Sequence, residues 1–188
     1  MGKKELIYKI NESLNQVYLN YKDEIVNVIK YTIENIKGDT KKNIQEIHCK
    51  TDLDTGFHIP GFYMIFNTDP DAANHCKCKI EYKDCQYNCV YRGQAYCIKD
   101  RLISHLFYTV DGKYDNCMKI KLNNKNYNIN ISDKKLFCDD KVQPPDIGFP
   151  DWAWLVIKIT LSNTKQGTRE MFETAFDEAY GKPIYSVK

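Results

Sequence analysis

The chemistry this chain could offer begins with its thiols. Five of its eight cysteines lie between Cys76 and Cys97, with His75 beside them. Zinc takes thiolate and imidazole ligands that converge tetrahedrally, and a structural site supplies them as Cys-x2-4-Cys pairs. Only Cys85-x3-Cys89 has that spacing. If the chain holds a metal, His75, Cys85, Cys89 and Cys97 are the expected ligands. The surrounding pattern argues for packing instead. Cys76, Cys78, Ile80 and Tyr82 alternate with Lys77, Lys79, Glu81 and Lys83. One face of that strand is therefore apolar, and a free thiol on it behaves as a small hydrophobe. The expectation is core cysteines and no cofactor, with a metal-dependent or cysteine-based enzyme built on those four residues as the alternative.

A nucleophilic thiol would need a basic neighbour or a helix N-terminus to lower its pKa. His48 and Cys49 are adjacent, but strand neighbours point to opposite faces. Cys97 and His105 could meet only if residues 94 to 107 fold favourably, and that stretch reads as helix at Ala95, Ile98, Leu102 and Leu106 but as strand from Leu106 to Val110. Two acidic groups with a histidine, Asp52-Asp54-His58 and Asp69-Asp71-His75, could bind a hard cation or run acid–base chemistry. Both fall in turns, where Asp is favoured because it bonds its own backbone. Phosphate-binding glycine loops, dinucleotide fingerprints, His-Glu-x-x-His and Gly-x-Ser-x-Gly do not occur.

A loop from Asp139 to Asp151 pairs carboxylates with aromatics and is stiffened by Pro144, Pro145 and Pro150. Asp139, Asp140, Asp146, Phe149, Asp151 and Trp152 would make a docking surface: aromatics anchor, a pinned loop loses little entropy, and the acids steer a basic partner. The functional expectation is a non-enzymatic protein-binding module. An inhibitor or immunity-type protein that neutralises a basic toxin or nuclease domain is the leading form, and a structural subunit of a larger complex is a further alternative.

The elements that would position these groups follow from periodicity. Ile7, Ile10, Leu14, Val17, Tyr21, Ile25, Val28, Thr32 and Ile36 recur every three or four residues, which predicts a long N-terminal helix, with Gly38 as its stop. Strand patterns fill residues 43 to 161, beginning with Ile44 to Leu53 and Gly61 to Phe66. A hairpin turns near Asp84, beyond which Cys85, Tyr87, Cys89 and Tyr91 share a face. A type I′ hairpin is expected at Asp111-Gly112 and another, polar turn over Asn123-Asn124-Lys125-Asn126. Trp152 to Leu161 is continuously apolar, as in a strand buried on both faces. A short C-terminal helix carries Phe172, Ala175, Phe176 and Ala179. The expected fold is α+β: a largely antiparallel sheet of about six to eight strands with a long N-terminal and a short C-terminal helix, in a single domain spanning residues 1–188.

Bulk properties narrow the partners. With 27 basic and 25 acidic residues, net charge +2, the chain lacks the basic excess of a nucleic-acid binder. No stretch approaches the ~20 apolar residues of a membrane span. The opening Met-Gly-Lys-Lys-Glu is unlike a secretion signal. Reduced cysteines and a cytoplasmic location are therefore expected, with a protein partner, no membrane and no nucleic acid.

Overall fold

Gly61-Phe62-Tyr63-Met64-Ile65-Phe66-Asn67 offers no polar face, so the chain has to cover it on both sides. In the computed structural model, which describes residues 2–36, 43–53, 56–112, 117–139, 141–142 and 148–186, it does. This segment is β2 (Gly61–Asn67), buried at every residue. It lies at the centre of a five-stranded antiparallel sheet with β1 (Ile44–Glu46), β3 (Lys79–Tyr82), β4 (Cys85–Ala95) and β9 (Trp154–Thr160), in the order β1-β9-β2-β4-β3. Phe62, Tyr63, Met64, Ile65 and Phe66 are fully inaccessible, and each such side chain contributes about 1.5–3 kcal/mol of burial energy.

The two faces of this sheet carry separate cores. Phe62, Met64, Phe66, Leu155 and Ile157 pack with Ile25 and Ile29 of α1 (Lys3–Glu34) and with Phe172, Ala175 and Phe176 of α3 (Gln166–Tyr180). On the opposite face Tyr63, Ile65, Trp154 and Val156 meet Ile98, Leu102 and Leu106 of α2 (Ile98–Leu106). The same core takes Met118, Ile120, Tyr127, Ile129 and Leu136. These belong to or flank a second antiparallel sheet, β5 (Ile120–Leu122), β6 (Lys125–Asn130), β7 (Lys135–Cys138) and β8 (Lys141–Val142), in sequential order. The fold is thus α+β with antiparallel sheets, nine strands divided five and four among the described residues.

Local chemistry explains where the chain departs from simple alternation. β2 pairs Ile65 with Tyr91 but Phe66 with Cys89, so Val90 is an inserted bulge residue. The bulge reverses the strand's faces: Tyr87 and Cys89 point to the α1/α3 core, whereas Val90 and Tyr91 join the α2 side. The face expected to unite Cys85, Tyr87, Cys89 and Tyr91 is therefore split, and Cys85 is exposed. The Val90 carbonyl accepts the Tyr185 N–H at 3.0 Å. Lys83-Asp84 (φ 48° and 61°) and Asn123-Asn124 (φ 48° and 63°) make two-residue turns with both residues left-handed, as type I′ requires. At Asp111-Gly112 the Gly112 N–H closes on the Thr109 carbonyl at 3.0 Å, and residues 113–116, which would continue the expected hairpin, lie outside the described residues. The expected strand before it reduces to one bridge between Phe107 and Asn130, because α2 runs to Leu106. Likewise, the strand expected over Ile44 to Leu53 ends at Glu46. Asp52 turns the chain by accepting the backbone N–H groups of His48 and Cys49, and a 3-10 turn, Lys50–Leu53, follows.

Three buried polar groups fix how the layers meet. Arg92 on β4 grips Asp177 of α3 through Nε (2.8 Å) and Nη2 (2.5 Å), with Glu173 3.6 Å away. Such a bidentate pair sets orientation as well as attraction. His105, fully buried on α2, accepts the Met118 N–H at Nδ1 (2.9 Å); its proton is therefore on Nε2, which donates to the Tyr63 hydroxyl at 3.0 Å. Burial, aided by the positive charge of Arg101, pushes the His105 pKa down to about 3. Lys158 on β9 donates to the Gly56 carbonyl and lies 4.4 Å from the Phe57 ring centroid; burial lowers its pKa.

Two outcomes are expected. A methyl at Gly61 would sit 2.2 Å from the Ile159 carbonyl oxygen, a backbone atom that cannot swing away. Gly61→Ala should thus lower stability by about 1–3 kcal/mol, whereas Gly167→Ala, in open space on α3, should raise it by about 0.5–1 kcal/mol, both read from denaturant melts. His105 takes up a proton near pH 6.5 when unfolded but only near 3 when folded. Its neutral burial is therefore fully stabilising above about pH 6.5 and loses about 1.4 kcal/mol per unit as the pH falls toward 3. Between pH 7 and 5 the chain should lose about 2 kcal/mol through this residue, and His105→Gln should remove that part of the slope.

Candidate functional site

At the mouth of the α2-side core, one short segment and one helix end bring three different donor types together. Phe57 and Ile59 turn into the core, so His58 between them points outward. The segment is pinned along α2 because the first amides of a helix lack internal acceptors. The Ile59 carbonyl accepts the Ile98 N–H (3.1 Å), and the Phe57 carbonyl accepts the Lys99 N–H (2.9 Å). Lys158 holds the Gly56 carbonyl from the other side. Cys97 is the N-cap residue of α2, with extended φ and ψ of −128° and 105°, and Asp100 lies in the helix's first turn.

The Cys97 Sγ lies 3.5 Å from His58 Nδ1, and the donor atoms of His58, Cys97 and Asp100 all fall within 4.8 Å of one another. His58 and Asp100 are exposed; Cys97 is half-buried. Partial burial and the adjacent Asp100 carboxylate push the Cys97 thiol up, outweighing the helix amides that favour its thiolate. Without a bound cation this is a protonated thiol rather than an activated nucleophile.

The four residues expected to share a zinc do not meet. Cys85 opens β4 and Cys97 lies beyond its far end, so the ten steps of the strand at about 3.3 Å each keep them roughly 30 Å apart. His75 is exposed after a separate 3-10 turn. Cys89 is buried with Cys76 and Cys78 among Phe62, Met64 and Phe66. Within that trio a hydrogen bond from Cys89 lowers the Cys76 pKa, while burial raises that of Cys89. All eight cysteines are free thiols. Cys97 and His105 do not meet either: His105 turns inward to Tyr63.

Of the acidic turn groups, Asp52 is spent on backbone amides. Asp69 is buried and accepts both the Tyr185 hydroxyl (3.1 Å) and the Asp71 N–H (3.0 Å). Asp54 lies outside the described residues. So do Asp140 and Asp146 of the proline-bounded loop; its Asp139 and Asp151 are exposed. The loop's Phe149 and Trp152 are half-buried against the α2-side core, with Trp152 edge-on to Trp154 at 6.0 Å. They serve packing more than display.

The largest display of apolar surface is elsewhere. Ile7, Ile10, Leu14, Val17, Tyr21, Val28 and Tyr31 along α1 are each 44–70% exposed. A different face of the helix, carrying Tyr18, Ile25, Val26, Ile29 and Ile33, meets the body. The expected helix is present as one element, Lys3–Glu34, but much of its apolar stripe is exposed and meets none of the described residues of the body.

Two signals in the sequence pointed to these features. Cys97-Ile98-Lys99-Asp100 has the N-cap and N3 spacing of a capping box, with a thiol where a hydroxyl usually stands. The α1 stripe from Ile7 to Tyr21 alternates steps of three and four strictly, a coiled-coil seam rather than the broader stripe of a core-facing helix. No family model matches this chain, and neither does any curated protein or solved structure.

Native-state alkylation at neutral pH should distinguish the thiols. Exposed Cys85 should react first, Cys97 more slowly because it is half-buried and its pKa is raised, and Cys76, Cys78 and Cys89 only on unfolding, as followed by peptide mass spectrometry.

Proposed function

We propose that the chain is a protein-binding module whose docking element is α1 and whose occupant is a second copy of the same chain, paired antiparallel. The observation that carries this is the exposed heptad seam. From Ile7 to Tyr31 every a and d position except Glu24 is a large apolar residue in contact with solvent. At about 1.5 Å per residue the seam is about 36 Å long. The six seam side chains from Ile7 to Val28 that overlap in the pairing below amount, at roughly 100 Å² apiece, to about 600 Å², approaching the ~800 Å² each partner gives to a standard interface.

Charge favours a helix over a lipid surface and antiparallel over parallel pairing. Lys3–Glu34 contains five lysines and five acidic residues, and Asn11, Ser13, Asn20 and Asn27 flank the seam. A membrane-surface helix instead rims its apolar face with Lys and Arg. In parallel register Glu24 would face its own copy, as would Lys3. An antiparallel pairing centred between Asn15 and Gln16 sets Leu14 over the partner's Val17 and Ile10 over the partner's Tyr21. It seats Glu24 over the partner's Ile7, with the partner's Lys3 and Lys4 within about one helical turn of the carboxylate. An inhibitor docking a basic partner at Asp139 and Asp151 has less support, since the aromatics that would anchor it are half-buried.

Sedimentation at about 50 µM, above a Kd of about 1 µM, should show a dimer. Leu14→Glu with Val17→Glu should make it monomeric without changing helicity, because both side chains already face water. Glu24→Gln should weaken an antiparallel dimer by up to about fivefold and tighten a parallel one. A wild-type monomer, or a double variant that still dimerises, would overturn the proposal; a monomer that pellets with anionic vesicles would assign the stripe to lipid.

A further inference from the structure

Independently of α1, we infer that His58, Cys97 and Asp100 form a binding site for a transition-metal ion of the Zn2+ class, with a coordination position open to solvent. The argument is geometric first. Zinc binds thiolate sulfur at about 2.3 Å and imidazole nitrogen at about 2.0–2.1 Å, so tetrahedral angles separate those two donors by about 3.5 Å. The Cys97 Sγ and His58 Nδ1 are 3.5 Å apart. The Asp100 carboxylate lies within 4.8 Å of both, within reach of a shared ion by a small side-chain rotation. Among the described residues no other three His, Cys, Asp or Glu donors converge this closely.

The donor set selects the class. One sulfur, one nitrogen and one oxygen suit zinc and its neighbours, whereas calcium and magnesium demand oxygen throughout. Three protein ligands at an exposed edge leave the fourth position to water, the pattern of an open rather than a closed zinc site. The ligands stand on supports that are already fixed: Cys97 and Asp100 on one helix end, His58 on a segment held to that helix by two backbone hydrogen bonds. A cation would also answer the local electrostatics, since it deprotonates a coordinated thiol outright and neutralises Asp100. Binding would release the Cys97 proton to solvent and would weaken as the pH falls.

Cobalt(II) titration of the full chain, purified under reducing conditions and stripped with chelator, tests this. One ion per chain is expected, with a thiolate-to-cobalt charge-transfer absorption that stoichiometric Zn2+ abolishes. Cys97→Ser should eliminate that absorption while preserving the fold, because Ser is a favourable N-cap. His58→Ala, at an exposed position, should weaken binding by about tenfold or more. No charge-transfer band in the wild-type chain would overturn the inference. So would a band that persists in Cys97→Ser, which would move the metal to another thiol such as Cys85. Cys85→Ser serves as the control and should leave the titration unchanged.

Discussion

Burial of β2 on both faces is the constraint to which the other elements answer. A strand with no polar side needs a cover on each, and the chain supplies α1 and α3 on one and α2 with the second sheet on the other. Because the covers differ, the faces acquire different chemistry. The α1/α3 side is aliphatic, aromatic and thiol-bearing. The α2 side holds the His105–Tyr63 pair, and its margin exposes His58 and Asp100. Donor groups gather there because α2 begins where β4 ends and needs acceptors for its first amides, which the 56–60 segment provides.

The polar groups inside the molecule act mainly as registers. Arg92 can satisfy Asp177 in one placement of α3 over β4, and His105 can satisfy Met118 and Tyr63 in one placement of α2 between the sheets. Removing one partner of such a set leaves the other unpaired in a low dielectric, which is more damaging than losing an equal apolar contact. Lys158 differs, being met by a carbonyl and a ring face rather than a carboxylate, and its lowered pKa follows from that environment.

Much of the fold was legible because it depends on short-range periodicity. The long helix α1, the alternation from Cys76 to Tyr82 and the apolar run of β9 appear as written, and the turn expected over Asn123 to Asn126 forms at its first two residues. What was not legible depended on distant partners. The Val90 bulge exists because of how β4 aligns with β2, and no feature of residues 85 to 91 alone announces it. The strand expected from Leu106 to Val110 has strand composition, but α2 runs to Leu106 and only the Phe107–Asn130 bridge remains of it. The candidate site was half visible. Cys97 and His58 both stood out by type, yet they are 39 positions apart and were grouped with nearer neighbours. Nor does an amphipathic pattern say which part of its apolar surface the rest of the chain will cover, and the seam from Ile7 to Tyr31 is left exposed.

The position of β9 has a consequence for how the molecule is made. It sits between β1 and β2, although β3 to β8 all lie between it and them in sequence. Until Trp154–Thr160 leaves the ribosome, β2 has an unpaired edge and β1 has no neighbour at all. Topologies with such remote pairings fold slowly. The nascent polypeptide would therefore carry adhesive strand edges uncovered while the residues from β3 to β8 are made, the period when a chaperone would matter most.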